Sequence, residues 1–186
     1  TPTGTSYSDT GLTASTSYRY RVRAVDAAGN AGPLSNIGSA TTPDTTPPSA
    51  PGALTSSAVS STQIDLSWGA ATDDVGVTGY RVERCTGASC TDFEQIATPT
   101  GTSYSDTGLT ASTSYRYRVL AVDAANNAGA FSNTSSATPP DTAPPSAPGT
   151  LTSSAVSSTQ IDLTWRAARD DVGVTSYRVE RCTGEG

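Results

Sequence analysis

Hydrophobic and polar positions alternate in short runs along this chain, and Gly, Asp, Ser and Thr separate the runs. Ile64, Leu66 and Trp68 occupy alternate positions, so we expect them on one face of a strand. Tyr80 and Val82 share a face of the next strand. A third run alternates at Tyr115, Tyr117, Val119 and Ala121. The period of two predicts antiparallel strands with one buried face, and about seven strands in roughly ninety residues fit a two-sheet sandwich.

The pattern returns along the chain with a fixed period. The segment TPTGTSYSDTGLTASTSYRYRV begins at Thr1 and again at Thr98, while STQIDLSW ends at Trp68 and STQIDLTW ends at Trp165. Both pairs are 97 positions apart. A constant internal shift indicates tandem copies of one unit. Because the copies are nearly identical, we expect the parent array to be longer than this window.

Two proline-rich segments, TTPDTTPPSAP at 41–51 and ATPPDTAPPSAP at 137–148, divide the copies. Clustered proline removes backbone donors and stiffens the chain toward polyproline II, so both segments are interpreted as semi-rigid linkers. The predicted organisation is a C-terminal half-repeat at 1–43, a complete repeat at 44–140 and an N-terminal half-repeat at 141–186.

Composition narrows the classes of function. A net charge of −6 and a pI near 4.4 argue against nucleic acid or an anionic membrane as partner. No stretch approaches the roughly 18 apolar residues of a membrane span. The sequence contains no His, which removes the commonest general base and zinc ligand. We therefore predict no enzymatic activity and no cofactor.

Several motifs, in order, resemble the fibronectin type III family: LSW at Leu66, GYRVER at Gly79, GLTASTSY at Gly108 and YRYRVLAVD at Tyr115. The resemblance implies an all-β fold of tandem seven-stranded sandwiches joined by the proline-rich linkers. It also implies that one Trp and one Tyr per repeat fill the core, here Trp68 with Tyr80 and Trp165 with Tyr177. Tyr115 matches the family's tyrosine corner, in which the hydroxyl binds backbone across a turn.

The cysteines are best explained by a disulfide. Cys85 and Cys90 bracket CTGASC at the end of a strand, and a secreted module favours an oxidised pair. A redox or metal site is the alternative, although the spacing is not CxxC and no His assists. Cys182 is the repeat equivalent of Cys85, and its partner would fall at position 187. A reactive free thiol is the other interpretation of Cys182.

Acidic and amide side chains occur in loops that the resemblance places at the pole where a linker enters. They are Asp73 and Asp74 after the Trp strand, Asp123 and Asn127 after the Tyr-rich strand, and the linker acids Asp44 and Asp141. Converging oxygen ligands could hold calcium. Asp and Asn are also common turn formers, and no EF-hand spacing is present. The turn interpretation is favoured over a metal site.

The phrases DTTPPSAP, AATDDVGVTGY and VDAAGNAG resemble the bacterial version of the module, which occurs in secreted polysaccharide-degrading enzymes and in surface proteins. The first hypothesis is a non-catalytic structural repeat outside the cell, whose copies stack head to tail as the shaft of a fibre or stalk. The alternative is a spacer within a secreted polysaccharide-degrading enzyme. A third is an adhesin whose loops bind a partner. Both Trp residues are assigned to the core, so carbohydrate binding is expected only through other domains.

Overall fold

The computed structural model describes residues 2–184, in which strands are joined by turns and loops. The strands are β1 Ser17–Tyr20, β2 Gly38–Thr41, β3 Thr55–Ser60, β4 Gln63–Ser67, β5 Val77–Thr86, β6 Glu94–Ala97, β7 Ser103–Thr107, β8 Tyr115–Asp123, β9 Ser135–Ala137, β10 Thr152–Ser157 and β11 Gln160–Thr164. Within the described part of the chain, no helix is long and apolar enough to cross a membrane.

Seven of these strands, β3 to β9, form a two-sheet sandwich that we call the middle domain. One sheet has the order β3-β4-β7 and the other the order β6-β5-β8-β9, with every pair antiparallel. The long strands β5 and β8 pair with Tyr80 opposite Ala121 and Val82 opposite Val119. The predicted all-β sandwich is confirmed.

The core of the middle domain lies between the two sheets. Ile64, Val82, Tyr117 and Val119 are completely buried, as alternation along the strands requires. Trp68 packs edge to face on Tyr80 with ring centroids 5.5 Å apart. Edge-to-face geometry is favourable because the positive ring edge meets the negative face of its neighbour. Two of the predicted core residues, Trp68 and Tyr80, therefore occupy the expected place.

The turn before β8 contains the predicted tyrosine corner. The backbone N–H of Thr110 donates to the hydroxyl oxygen of Tyr115 over 3.1 Å. The first copy repeats the bond, since the N–H of Thr13 donates to the hydroxyl of Tyr18 over 2.9 Å. The corner forms in both copies because its donor and acceptor are only five residues apart.

The outer segments form hairpin-like pairs in place of sandwiches: β1 pairs with β2, and β10 pairs with β11. Trp165 and Tyr177 keep the edge-to-face packing at 5.4 Å. Tyr177 is nevertheless 38% exposed, so its assignment as a core residue does not hold in this structure. The physical reason is that residues 141–184 supply strands of only one sheet, and no second sheet covers them.

The first proline-rich segment packs against the middle domain. Residues 44–52, which we call the strap, cross one end of the middle domain with Pro48 and Pro51 buried. The N–H of Ser49 donates to the carbonyl of Thr72 over 2.8 Å, and the N–H of Gly52 donates to that of Gly69 over 2.9 Å. The predicted complete repeat begins at residue 44, so the strap lies within it. Pro48 and Pro51 are buried in the folded chain, and Ser49 and Gly52 bond to the loop after β4.

Candidate cation site

Three carboxylates from distant parts of the sequence meet where the strap crosses the middle domain. Asp44 lies in the strap, Asp73 in the loop between β4 and β5, and Asp123 at the end of β8. Their carboxylate oxygens lie within 4.8 Å of one another. Asp44 is 9% exposed and Asp123 is 2% exposed. We call these three residues the acidic triad.

The two carboxylate oxygens of Asp73 differ in their hydrogen bonding. Its Oδ1 accepts hydrogen bonds from the N–H groups of Val75, at 3.0 Å, and Gly76, at 2.8 Å. Gly76 has φ of 140°, a conformation that L side chains rarely adopt. The other oxygen, Oδ2, is buried and has no hydrogen-bond partner.

The Asp44 carboxylate also uses one oxygen in a turn and leaves the other without a partner. The N–H of Thr46 donates to Asp44 Oδ1 over 3.0 Å, which closes a local Asx turn. Asp44 Oδ2 is buried and has no hydrogen-bond partner. A buried polar atom without a partner is uncommon in folded proteins, and its desolvation is unfavourable. The triad therefore contains two such oxygens.

Asp123 is oriented by Asn127 within its own loop. The backbone N–H of Asn127 donates to Asp123 Oδ1 over 2.8 Å, and the side-chain amide donates to Oδ2 over 2.8 Å. In the first copy, Asp26 and Asn30 form the same pair of bonds, at 2.8 and 2.9 Å. The loop thus fixes Asp123 without help from the strap.

No arginine neutralises the triad in residues 2–184. The ion pairs there join Arg84 to Asp106 and Arg118 to Glu83, and neither includes a triad residue. Two like charges about 4 Å apart repel by about 4 kcal/mol at the effective dielectric constant of a protein surface. Three carboxylates at this spacing repel one another, and a cation among them would reduce that repulsion.

The structure brings together some of the predicted acids and separates others. Asp73, Asp123 and Asn127 meet at the triad, and the linker acid Asp44 joins them. Asp74 is exposed and lies outside it. Asp141 belongs to a second cluster, with Asp170 and Asp171. This cluster occupies the matching place in residues 141–184, which we call the third segment.

The predicted disulfide is confirmed. Cys85, on β5, is bonded to Cys90 with Cα atoms 6.0 Å apart. The carbonyl of Cys90 also accepts a hydrogen bond from the Arg116 guanidinium. Cys182 is free and exposed. The pair closes the loop between β5 and β6 and leaves no redox or metal site at these positions.

Besides the triad, the middle domain contains a buried polar group centred on Asp106, which was not expected from the sequence. The Tyr117 hydroxyl donates to Asp106 Oδ2 over 2.9 Å, and Arg84 Nη1 contacts both carboxylate oxygens at 3.0 and 2.9 Å. Burial, followed by the hydrogen bond to Asp106, raises the pKa of Tyr117. Burial acts to lower the pKa of Arg84, but the hydrogen bond to Asp106, the negative charge of Asp106 and the nearby tyrosines together raise it. These groups are fully paired, so they stabilise the fold and offer no free ligand.

The two phenylalanines hold one arginine between their rings. The Arg118 guanidinium lies 4.4 Å from the ring centroid of Phe93 and 3.9 Å from that of Phe131. One cation therefore occupies a face of each ring. Arg118 Nε also donates to Glu83 over 2.7 Å, which fixes the guanidinium between the rings.

The sequence of the middle domain matches a known domain family, and the chain is similar to parts of several bacterial enzymes. The model of the fibronectin type III domain matches residues 49–138. Exoglucanase B of Cellulomonas fimi is 46% identical over 137 residues, which cover 72% of this chain and 12% of the relative. Chitinase A1 of Niallia circulans is 44% identical over 142 residues, covering 73% and 19%. Endoglucanase B of Cellulomonas fimi is 39% identical over 193 residues, covering 99% and 18%.

Solved structures show the same fold. A crystal structure of titin domains aligns with a TM-score of 0.52 at 22% identity, over 58% of this chain and 37% of that one. The FN1-FN3 domains of chicken CNTN1 align with a TM-score of 0.50 at 23% identity, over 73% and 46%. This chain spans only about a fifth or less of the three enzymes above. The sandwich, the tyrosine corner and the matched sequence together show that residues 49–138 of this chain belong to the fibronectin type III family.

Proposed function

We propose that this chain is a non-catalytic spacer of a secreted polysaccharide-degrading enzyme, placed between domains that bind or cleave the polymer. The observation that carries the proposal is its similarity to short parts of an exoglucanase, a chitinase and an endoglucanase. A segment shared by enzymes with different substrates supports a common mechanical task over a common reaction. The order of the two leading hypotheses from the sequence is therefore reversed.

The side chains of the middle domain agree with a spacer. Trp68 is 6% exposed, and the rings of Phe93 and Phe131 stack on Arg118. Sugar rings stack on exposed aromatic faces, whereas Trp68 is buried and each Phe ring has one face against Arg118. The sequence also lacks His, so a common acid-base group is absent. Chemistry and sugar recognition are assigned to other domains of the parent protein.

The disulfide supports a location outside the cytoplasm. Cys85 and Cys90 form a bond that persists in oxidising compartments and is rare in the reducing cytosol. We therefore place the chain in the extracellular space or at the cell surface, where insoluble polysaccharides are degraded.

Deletion within the parent enzyme tests the spacer function. Removal of 44–140 should lower the rate on crystalline cellulose or chitin several-fold, while the rate on a soluble oligosaccharide stays unchanged. The control replaces the deleted repeat by a fibronectin type III repeat of unrelated sequence, which should restore the rate. Equal loss on both substrates, or failure of the replacement, would contradict a spacer.

A second candidate, the head-to-tail shaft, is favoured by matched polar groups in the outer segments. Tyr20 donates to Asp9 over 3.0 Å, as Tyr117 donates to Asp106 in the middle domain. In the middle domain Arg84 completes the group, and its repeat equivalent is Arg181 of the third segment. On this hypothesis Arg181 of one copy pairs with Asp9 of the next.

Sedimentation tests the shaft. The chain should associate with increasing concentration, and Arg181→Gln should weaken association about tenfold, whereas the control Arg23→Gln should not. If the unmodified chain remains monomeric at all concentrations, the shaft hypothesis is contradicted. It is also contradicted if the two substitutions weaken association equally.

A further inference from the structure

Asp44 and Asp73, whose carboxylates lie close together, each have a buried oxygen without a partner, and no ion pair of residues 2–184 includes either residue. We propose that Asp44, Asp73 and Asp123 form a calcium site that fastens the strap to the middle domain. This departs from the turn interpretation favoured by the sequence, and it goes beyond the spacer function.

The spacing of the oxygens fits one calcium ion. Calcium binds oxygen at about 2.3–2.6 Å, so two ligands of the same ion are separated by no more than about 5 Å. The carboxylate oxygens of the triad lie within 4.8 Å of one another. No rearrangement of the backbone is needed to bring them to a shared ion.

The turns at the site favour a cation over a purely structural role for the acids. Asp44 and Asp73 each form their turn through Oδ1 alone. A turn-forming Asp leaves its second oxygen in water, where it is solvated. Here both second oxygens are buried without a partner, which is unfavourable until a cation binds them.

The Asn127 side chain bonds to Asp123 and to the backbone of the strap, beside the triad. The side-chain amide nitrogen of Asn127 lies 2.8 Å from Asp123 Oδ2, 3.4 Å from the Asp44 carbonyl and 3.5 Å from the Thr46 carbonyl. Asn127 therefore links Asp123 of the middle domain to the backbone of the strap. Calcium takes six to eight oxygen ligands in a flexible geometry, so water would complete a site built on three carboxylates, whereas magnesium demands a smaller octahedral set.

The third segment contains part of the same arrangement. Asp141 closes a turn with Ala143, and Asp170 Oδ1 accepts from Val172 and Gly173, as in the middle domain. Asp170 Oδ2 is buried and unpartnered. The third carboxylate of this cluster is the exposed Asp171, the repeat equivalent of Asp74, whereas the triad includes the buried Asp123. We therefore expect calcium to bind more strongly at the triad.

Calcium titration of the whole chain tests the proposal. The metal-free protein is titrated with calcium chloride, and in parallel with magnesium chloride, by isothermal calorimetry and thermal unfolding. At a calcium concentration about 100-fold above Kd, the Tm of the middle domain should rise by on the order of 10 °C, and EDTA should reverse the rise. An equal response to magnesium, or no binding at about 10 mM calcium, would overturn the proposal.

Asp44→Asn separates a ligand from a turn former. Asparagine keeps the oxygen that accepts from Thr46 but removes the charge, so calcium affinity should fall at least tenfold. Without calcium, the variant should melt at the same temperature or higher, because repulsion within the triad is reduced. The matched control Asp74→Asn, an exposed neighbour of Asp73, should leave affinity and Tm unchanged. If Asp44→Asn lowers the metal-free Tm and leaves the calcium affinity intact, the residue is only structural.

Discussion

Tyr117 donates a hydrogen bond of 2.9 Å to Asp106 inside the middle domain, where Tyr117 is fully buried and Asp106 is 4% exposed. The bond joins β8 of one sheet to β7 of the other. Together with the bonds of Arg84 to Asp106, it gives the two sheets directional contacts in addition to their apolar packing.

Tyr117→Phe should destabilise the middle domain by about 1–3 kcal/mol, because the Asp106 carboxylate loses a donor where water does not replace it. Denaturant unfolding followed by Trp68 fluorescence measures the change. Tyr104→Phe, on the same strand as Asp106 but half-buried, is the control and should change stability by less than about 0.5 kcal/mol. Equal losses in the two variants would contradict a specific role for the bond.

Trp68→Ala should destabilise the middle domain by about 3–5 kcal/mol, since it empties a large aromatic site in a thin core. Trp165→Ala removes the same side chain at the equivalent position, where its partner Tyr177 is 38% exposed. That variant should leave unfolding of the middle domain almost unchanged. Chemical denaturation of both variants distinguishes the sites, and a loss below about 1 kcal/mol for Trp68→Ala would contradict the packing described.

Reduction of the disulfide should lower stability by about 2 kcal/mol without unfolding the domain, because Cys85 and Cys90 close a short loop. Thermal melts with and without a reductant measure the effect. Cys182→Ser is the control, since it removes the free thiol and should preserve the difference. Unfolding on reduction at room temperature would show that the loop contributes more than its length implies.

Gly129→Ala should loosen the strap. A Cβ at this glycine would collide with the backbone carbonyl of Pro48, which cannot move without lifting the strap. Limited proteolysis within 44–52 should become faster and the Tm should fall. Gly101→Ala is the matched control, because a Cβ there meets no atom within 4 Å. Unchanged proteolysis in Gly129→Ala would argue that the strap is not held at this point.

Local patterns in the sequence predict most of the fold. Alternation at Ile64, Leu66 and Trp68 identifies the buried face of β4, and five-residue spacing suffices for the corner at Tyr115. Cys85 and Cys90 are close in sequence, so their pairing is predictable as well. Each of these features depends on residues near one another, where strand or turn geometry determines the outcome.

The family resemblance placed the acids of the triad at one pole, but which of them meet and which are buried required the structure. Asp73 and Asp74 are adjacent, and only the hydrogen bonds from Val75 and Gly76 show which one turns inward. Asp44 lies in a segment whose prolines indicate a linker, and nothing local reveals that it is buried. Asp106 was missed for the same reason, because its partners Tyr117 and Arg84 come from other strands.

The strap also determines how a repeat can be moved between proteins. The family's domain match begins at residue 49, after Asp44 and Pro48, yet these residues are buried against the domain that follows. A graft cut at residue 49 would leave behind part of the surface that covers the β4–β5 loop. A graft cut before residue 44 transfers the covering segment with the domain it covers. The natural unit of exchange therefore begins at its upstream linker, and chimaeric enzymes joined there should keep each module intact.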